Sequence, residues 1–214
     1  MHGMRALVVL AISAMAAIGP ARAASLVVTI YKRDGKPLSG AVVTAEPEQA
    51  GTAPTPLKAI MDQVNLTFVP DVLVIPVHST VQFPNSDAVS HQVYSFSPAR
   101  QFQLPLYRGK PYPPVQFDQP GVVTLGCNIH DNMLGYIVVT TAPYFGRADD
   151  RGEWTVQEMP AGRFRVNVWH PLLNEPGELN RVVEVHGERE TVEFRLTKPL
   201  RLAPLTGHPH SWDY

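Results

Sequence analysis

Cys127, His130 and Met133 recur at three-residue intervals in the stretch Gly126-Cys127-Asn128-Ile129-His130-Asp131-Asn132-Met133. The stretch lies between Val122–Leu125 and Tyr136–Thr140, two runs whose composition reads as strand. A loop of this kind holds a thiolate, an imidazole and a thioether within one tight turn. Both oxidation states of copper accept that mixture. Soft sulfur suits Cu(I), imidazole serves Cu(I) and Cu(II), and a weak axial thioether tunes the potential. Zinc fits poorly, because a thioether is not an ordinary zinc ligand. Nucleophilic catalysis by a Cys–His pair is the enzymatic alternative, and it needs an electrophile pocket and an oxyanion hole that no motif here announces. Cys127 is the chain's one cysteine. In an oxidising compartment it has no intramolecular disulfide partner, so burial, an intermolecular disulfide or a metal must account for it.

The set lacks one imidazole, which has to come from elsewhere in the chain. His91 is the candidate. It stands in Phe83-Pro84-Asn85-Ser86-Asp87-Ala88-Val89-Ser90-His91-Gln92-Val93, where a strand resumes after a loop. In a sandwich such a strand end can meet the Cys127 loop at one pole. The expected metal ligands are therefore His91, Cys127, His130 and Met133. His78 falls in the turn Pro76–Thr80 and is expected in solvent, and His170, in Trp169-His170-Pro171, is expected to be structural. His208 and His210 lie in the tail GHPHSWDY, which reads as solvated. Asp131, beside His130, is a candidate acceptor for a ligand ring.

The elements that must position these residues are strands. Helical periodicity is nearly absent, with one or two turns at Leu57–Val64 the exception. Strand-like runs bounded by Gly, Pro, Asn and Asp occur at Leu26–Tyr31, Ala41–Ala45, Leu66–Val69, Val72–Val77, Thr80–Phe83, Gln92–Phe96, Gly121–Leu125, Tyr136–Thr140, Glu153–Gln157, Arg163–Trp169, Val182–Val185 and Thr191–Leu196. Proline supplies 21 of 214 residues, about twice ordinary usage, which suits short strands joined by proline-marked loops. The fold class is all-β, with sandwich architecture. Glu46–Lys58 reads as a linker and Thr141–Arg151 as a second turn-rich stretch, and the block between them holds the Cys.

The N-terminus reads as an export signal. Arg5 precedes the apolar run Ala6–Ile18, and Ala21-Arg22-Ala23 is a small-x-small cleavage site. The run is too short to span a bilayer, and no other stretch of sufficient length follows. A mature chain beginning near Ala24 in the periplasm is expected, without a membrane span. The 18 basic and 19 acidic residues nearly cancel, and that field is too weak to argue for nucleic acid or anionic lipid as a partner.

The pattern Phe-x-Asn-x-Asp…His, followed about 35 residues later by Cys-x-x-His-x-x-Met, resembles the cupredoxins over about 80 residues, from Val64 to Thr140. The ligand loop is most similar to that of the amicyanins, since plastocyanins and pseudoazurins place four residues between His and Met. The resemblance implies a Greek-key β-sandwich with one type 1 (blue) copper ion. His91 would be its upstream ligand, Cys127 the thiolate, His130 the loop ligand nearest the surface and Met133 the axial ligand. It implies one-electron transfer with a transient protein redox partner and no catalysed reaction. A copper-binding module for storage, delivery or sensing is the second functional expectation. Two positions depart from the family pattern: Gln92 stands where Asn is usual, and Gly126 where an aromatic residue is frequent.

The flanks carry a second resemblance. Leu26–Val43 has a strand, an Asp-Gly turn and a strand, and Arg147–Trp169 continues with Asp-x-Gly, a strand, a Pro-Ala-Gly turn and a strand. Joined, they resemble the carboxypeptidase regulatory-like, prealbumin-like β-sandwich. That implies a discontinuous unit, 25–47 and 143–198, with a cupredoxin domain at 58–142 inserted in it, a signal peptide at 1–23 and a tail at 199–214.

Overall fold

A computed structural model describes residues 24–49, 51–109, 111–174, 177 and 179–202. The signal segment 1–23 and the tail histidines His208 and His210 lie outside these residues. Among the described residues all regular structure is strand, and no helix is long and apolar enough to cross a membrane. The chain opens with β1 (Ala24–Tyr31) and β2 (Val42–Pro47). Ten strands follow: β3 (Lys58–Ile60), β4 (Asp62–Val64), β5 (Thr67–Val69), β6 (Val72–Pro76), β7 (Ser79–Gln82), β8 (Tyr94–Ser97), β9 (Arg100–Gln103), β10 (Val115–Phe117), β11 (Gly121–Cys127) and β12 (His130–Thr140). The last five are β13 (Tyr144–Arg147), β14 (Glu153–Met159), β15 (Gly162–Trp169), β16 (Leu179–Val185) and β17 (Arg189–Arg195).

Strands β3 to β12 surround one apolar core. A five-stranded sheet, in the order β6-β12-β11-β8-β9, faces a three-stranded sheet β10-β7-β3, and β4 and β5 form a separate hairpin. Ile75, Val81, Phe83, Phe117, Val123, Leu125 and Ile137 fill the space between the sheets. The remaining strands pair as β14-β1-β17 and β13-β2-β15-β16 around a second core that includes Leu26, Ile30, Val43, Phe164 and Phe194.

The period of two along β12 shows how its residues serve both faces. Met133, Ile137 and Val139 enter the core between the sheets. Tyr136 and Val138, on the opposite face, pack with Val42 and Trp169. The Tyr136 and Trp169 rings lie 5.6 Å apart. Arg147 also joins the two sets of strands, through Asp71 at 3.1 Å and the carbonyl of Val72 at 3.1 Å.

Two expectations are corrected. Leu57–Val64 forms no helical turn but β3 and β4. Met61 and Gln63 are fully buried, Ala59 is partly so, and Ile60 between them is 59% exposed. That alternation is the signature of a strand. The turn-rich stretch Thr141–Arg151 contains β13, the edge strand paired with β2. At four residues with no alternating burial, it offers no periodic signal.

Candidate metal centre

Cys127 ends β11 and His130 begins β12, and the two are directly paired. Asn128 and Ile129 make the exposed turn between them. The register jumps from Gly126↔Leu134 to Cys127↔His130, so Asp131, Asn132 and Met133 on β12 face no residue of β11. A bulge of this kind bends a strand and re-aims its side chains. It brings His130 back over Cys127, while Met133 returns to the inward face, 1% exposed, in the core cluster that contains Cys127. His130 and Met133 are therefore strand residues, where a loop is expected from the sequence.

His91 precedes β8 and is pinned by its backbone to Tyr107, each N–H donating to the other's carbonyl at 2.9 Å. Its side chain is fully buried. The Nδ1 atoms of His91 and His130 lie 3.1 Å apart. Cys127 Sγ is 3.8 Å from His91 Nδ1 and 3.6 Å from His130 Nδ1. The three ligating atoms fall within 4.8 Å of one another. Cys127 is 3% exposed, and His130 is the partly exposed member.

Neighbouring groups prepare these atoms for a cation. Asp87 Oδ2 lies 2.7 Å from His91 Nε2. An ionised carboxylate only accepts, so His91 Nε2 donates in this contact, and Nδ1 is the ring nitrogen that faces Cys127 and His130. The backbone N–H of Gln92 donates to Cys127 Sγ at 3.5 Å. Burial pushes the His130 ring below its ordinary range, and the neighbouring His91 pushes it further, outweighing the pull of Asp87. A depressed imidazole is neutral at neutral pH and free to ligate. For Asp87, burial raises the carboxyl, but hydrogen bonds from Leu66, His91 and Asn65 outweigh it and hold the group low.

The donor set fits a copper ion. At bond lengths of about 2.0–2.3 Å to nitrogen and sulfur, two ligands of one ion stand no more than about 4.6 Å apart, and the three observed separations fall below that limit. One thiolate and two imidazoles, with a thioether residue buried in the same core, suit copper better than zinc. The other expectations divide. His78 is exposed and pairs with Asp118 at 3.0 Å. His170 takes a structural place, its Nδ1 accepting from the Leu172 N–H at 3.2 Å. Asp131 is exposed, and the carboxylate that reaches a ligand ring is Asp87. The Asn-x-Asp…His spacing was the available signal for it.

No family model matches the chain, and no curated protein is significantly similar to it. Solved structures are similar to part of it. A nitrite reductase (NirK) from Thermus scotoductus SA-01, described as copper-containing, is 30% identical with a TM-score of 0.37, over 44% of this chain and 25% of its own. The chain thus matches a quarter of that enzyme's length. The purple cupredoxin of Nitrosopumilus maritimus is 26% identical, TM-score 0.34, over 38% of this chain and 96% of its own. A reduced amicyanin variant is 18% identical, TM-score 0.35, over 45% of this chain and 99% of its own. The chain is all-β, is similar to cupredoxin β-sandwich structures over less than half of its length, and brings a Cys-His-His cluster together.

Proposed function

We propose that this chain is an exported copper protein that carries single electrons through one type 1 site made by His91, Cys127, His130 and Met133. The observation that carries the reading is the convergence of Cys127 Sγ, His91 Nδ1 and His130 Nδ1 within 4.8 Å at a buried strand end. Copper bound there supplies a one-electron couple, so that one electron taken from a reduced donor is passed on to an oxidised acceptor.

The chain's own residues set the conditions for that exchange. Cys127 ligates as a thiolate, stabilised by the Gln92 N–H. Pairing of Cys127 with His130, and of His91 with Tyr107, holds the donors in place when the charge changes, so little reorganisation accompanies transfer. Met133 stands in the same core as the fourth donor. His130 is the edge nearest solvent. Exposed Ile129 and Val89 adjoin the ligand-bearing segments in sequence, and exposed Leu106 precedes Tyr107, the backbone partner of His91. Such apolar residues suit the small, transient contacts of redox partners. The export signal at 1–23 and an unpaired thiol in an oxidising compartment belong to the same reading. So does the division into a copper unit at 58–142 and a flanking sandwich at 25–47 and 143–198, which the two separate apolar cores support.

Titration of the purified mature protein with Cu(II) tests the proposal. One equivalent should produce an intense visible band that Cys127→Ser abolishes, and voltammetry should show a reversible one-electron wave. Protein that stays colourless and binds no copper overturns it. Copper that is taken up without a reversible wave and handed to an acceptor indicates storage or delivery instead.

A further inference from the structure

Asp87 does more than touch His91. Its Oδ1 accepts the backbone N–H of Asn65 at 2.6 Å, and its Oδ2 accepts that of Leu66 at 2.9 Å and faces His91 Nε2 at 2.7 Å. Asn65 and Leu66 form the two-residue turn of the β4–β5 hairpin, with φ of 52° and 58°. Such left-handed turns favour Asn followed by Gly. Leucine at the second position is strained, and strain of this kind persists only where the surroundings hold it. Here it aims two successive N–H groups at one carboxylate, which is a built anion seat.

The hairpin itself is fixed by means unrelated to His91. Asp62, on β4, accepts the Ser86 N–H at 3.2 Å and the Ser86 hydroxyl at 2.7 Å. Phe68, on β5, packs against Gly135 of β12, two residues beyond Met133. The carboxylate is thus gripped by a hairpin that rests on the ligand-bearing strand, and its side chain is 12% exposed.

We infer that Asp87 is a positioning residue for the metal centre. Held by the Asn65-Leu66 turn, it keeps the His91 proton on Nε2, turns Nδ1 toward Cys127 and His130, and makes that nitrogen a stronger donor. The inference rests on the reading of the cluster as a copper site. It differs from the ligand assignment because Asp87 acts through His91 and touches no metal. Carboxylate partners of ligating imidazoles raise ligand basicity and fix the tautomer.

The test compares wild type with Asp87→Ala, Asp87→Asn and Asp62→Ala, all checked for folding by circular dichroism. Cu(II) affinity, measured by competition with a chelator, should fall about 10–100-fold in Asp87→Ala, fall less in Asp87→Asn, and stay within about threefold in Asp62→Ala. Asp62→Ala loosens the same hairpin without removing the His91 contact. In the metal-free proteins, nitrogen-15 NMR of the imidazoles should show His91 protonated on Nε2 in wild type and as a tautomer mixture in Asp87→Ala. Equal losses in Asp62→Ala and Asp87→Ala, or an unchanged His91 tautomer, overturn the inference. If wild type binds no copper, the copper reading fails, and the metal-free tautomer comparison still decides whether Asp87 sets the His91 ring.

Discussion

Tyr94 lies across Gly126, its register partner on the neighbouring strand, so that a side chain on the residue before Cys127 would have to displace the far end of that ring. A Cβ at 126 would stand 2.8 Å from both Cζ and the hydroxyl of Tyr94. The contact is with the far end of the ring, which can swing. Gly126→Ala should therefore cost only about 1 kcal/mol, at the low end of overpacking. Urea midpoints of Gly126→Ala, Tyr94→Ala and the double variant check this, with the double variant less destabilised than the sum of the singles.

Gly135 should tolerate a side chain less well. A Cβ there would come within 2.9 Å of Phe68 Cβ and Cγ, and 2.8 Å of Cδ2. These atoms sit at the base of the side chain, so relief requires moving the hairpin backbone. Gly135→Ala is expected to destabilise by about 2–3 kcal/mol, clearly more than Gly126→Ala in the same urea series. An equal effect would show that the β4–β5 hairpin shifts freely over β12.

Met133 tests the fourth donor. Met133→Leu nearly conserves volume in the core and removes the sulfur. The variant should fold, bind one copper ion through His91, Cys127 and His130, and keep its thiolate band. Its reduction potential should rise, because Cu(II) loses a donor that tunes the couple. An unchanged potential by voltammetry would take Met133 out of the ligand set.

His170 makes stability depend on pH. Burial, its largest cause, pushes the ring down to about 4, Asp71 opposes this, and Arg147 and Lys32 add to it. The unfolded chain has an ordinary histidine near 6.5. Between these values the unfolded state holds more protons, so stability falls as pH drops from about 6.5 toward 4. The loss should reach about 2 kcal/mol, after discounting for the partly exposed ring. His170→Asn keeps an acceptor for the Leu172 N–H, and its urea midpoint should fall less than that of wild type between about pH 7 and pH 4.5. Parallel curves would assign the acid sensitivity to other groups.

Much of this molecule is readable along the chain. Alternating apolar positions and proline-marked turns make it all-β, because period-two burial is a property of each strand taken alone. The spacing of Cys127, His130 and Met133 nominates copper donors, since a soft sulfur set within one turn has few other uses. Short strands escape that reading. Arg100–Gln103 is largely polar and Val115–Phe117 only three residues long, so neither carries a pattern, and pairing across the sheets creates them. The bulge that brings His130 over Cys127, the ring of Tyr94 over Gly126, and the grip of Asn65 and Leu66 on Asp87 are likewise invisible in the linear order. Each depends on which strands become neighbours and in what register. That is settled by the packing of the whole core, over contacts that link Asp87 to residues 21 and 22 positions away.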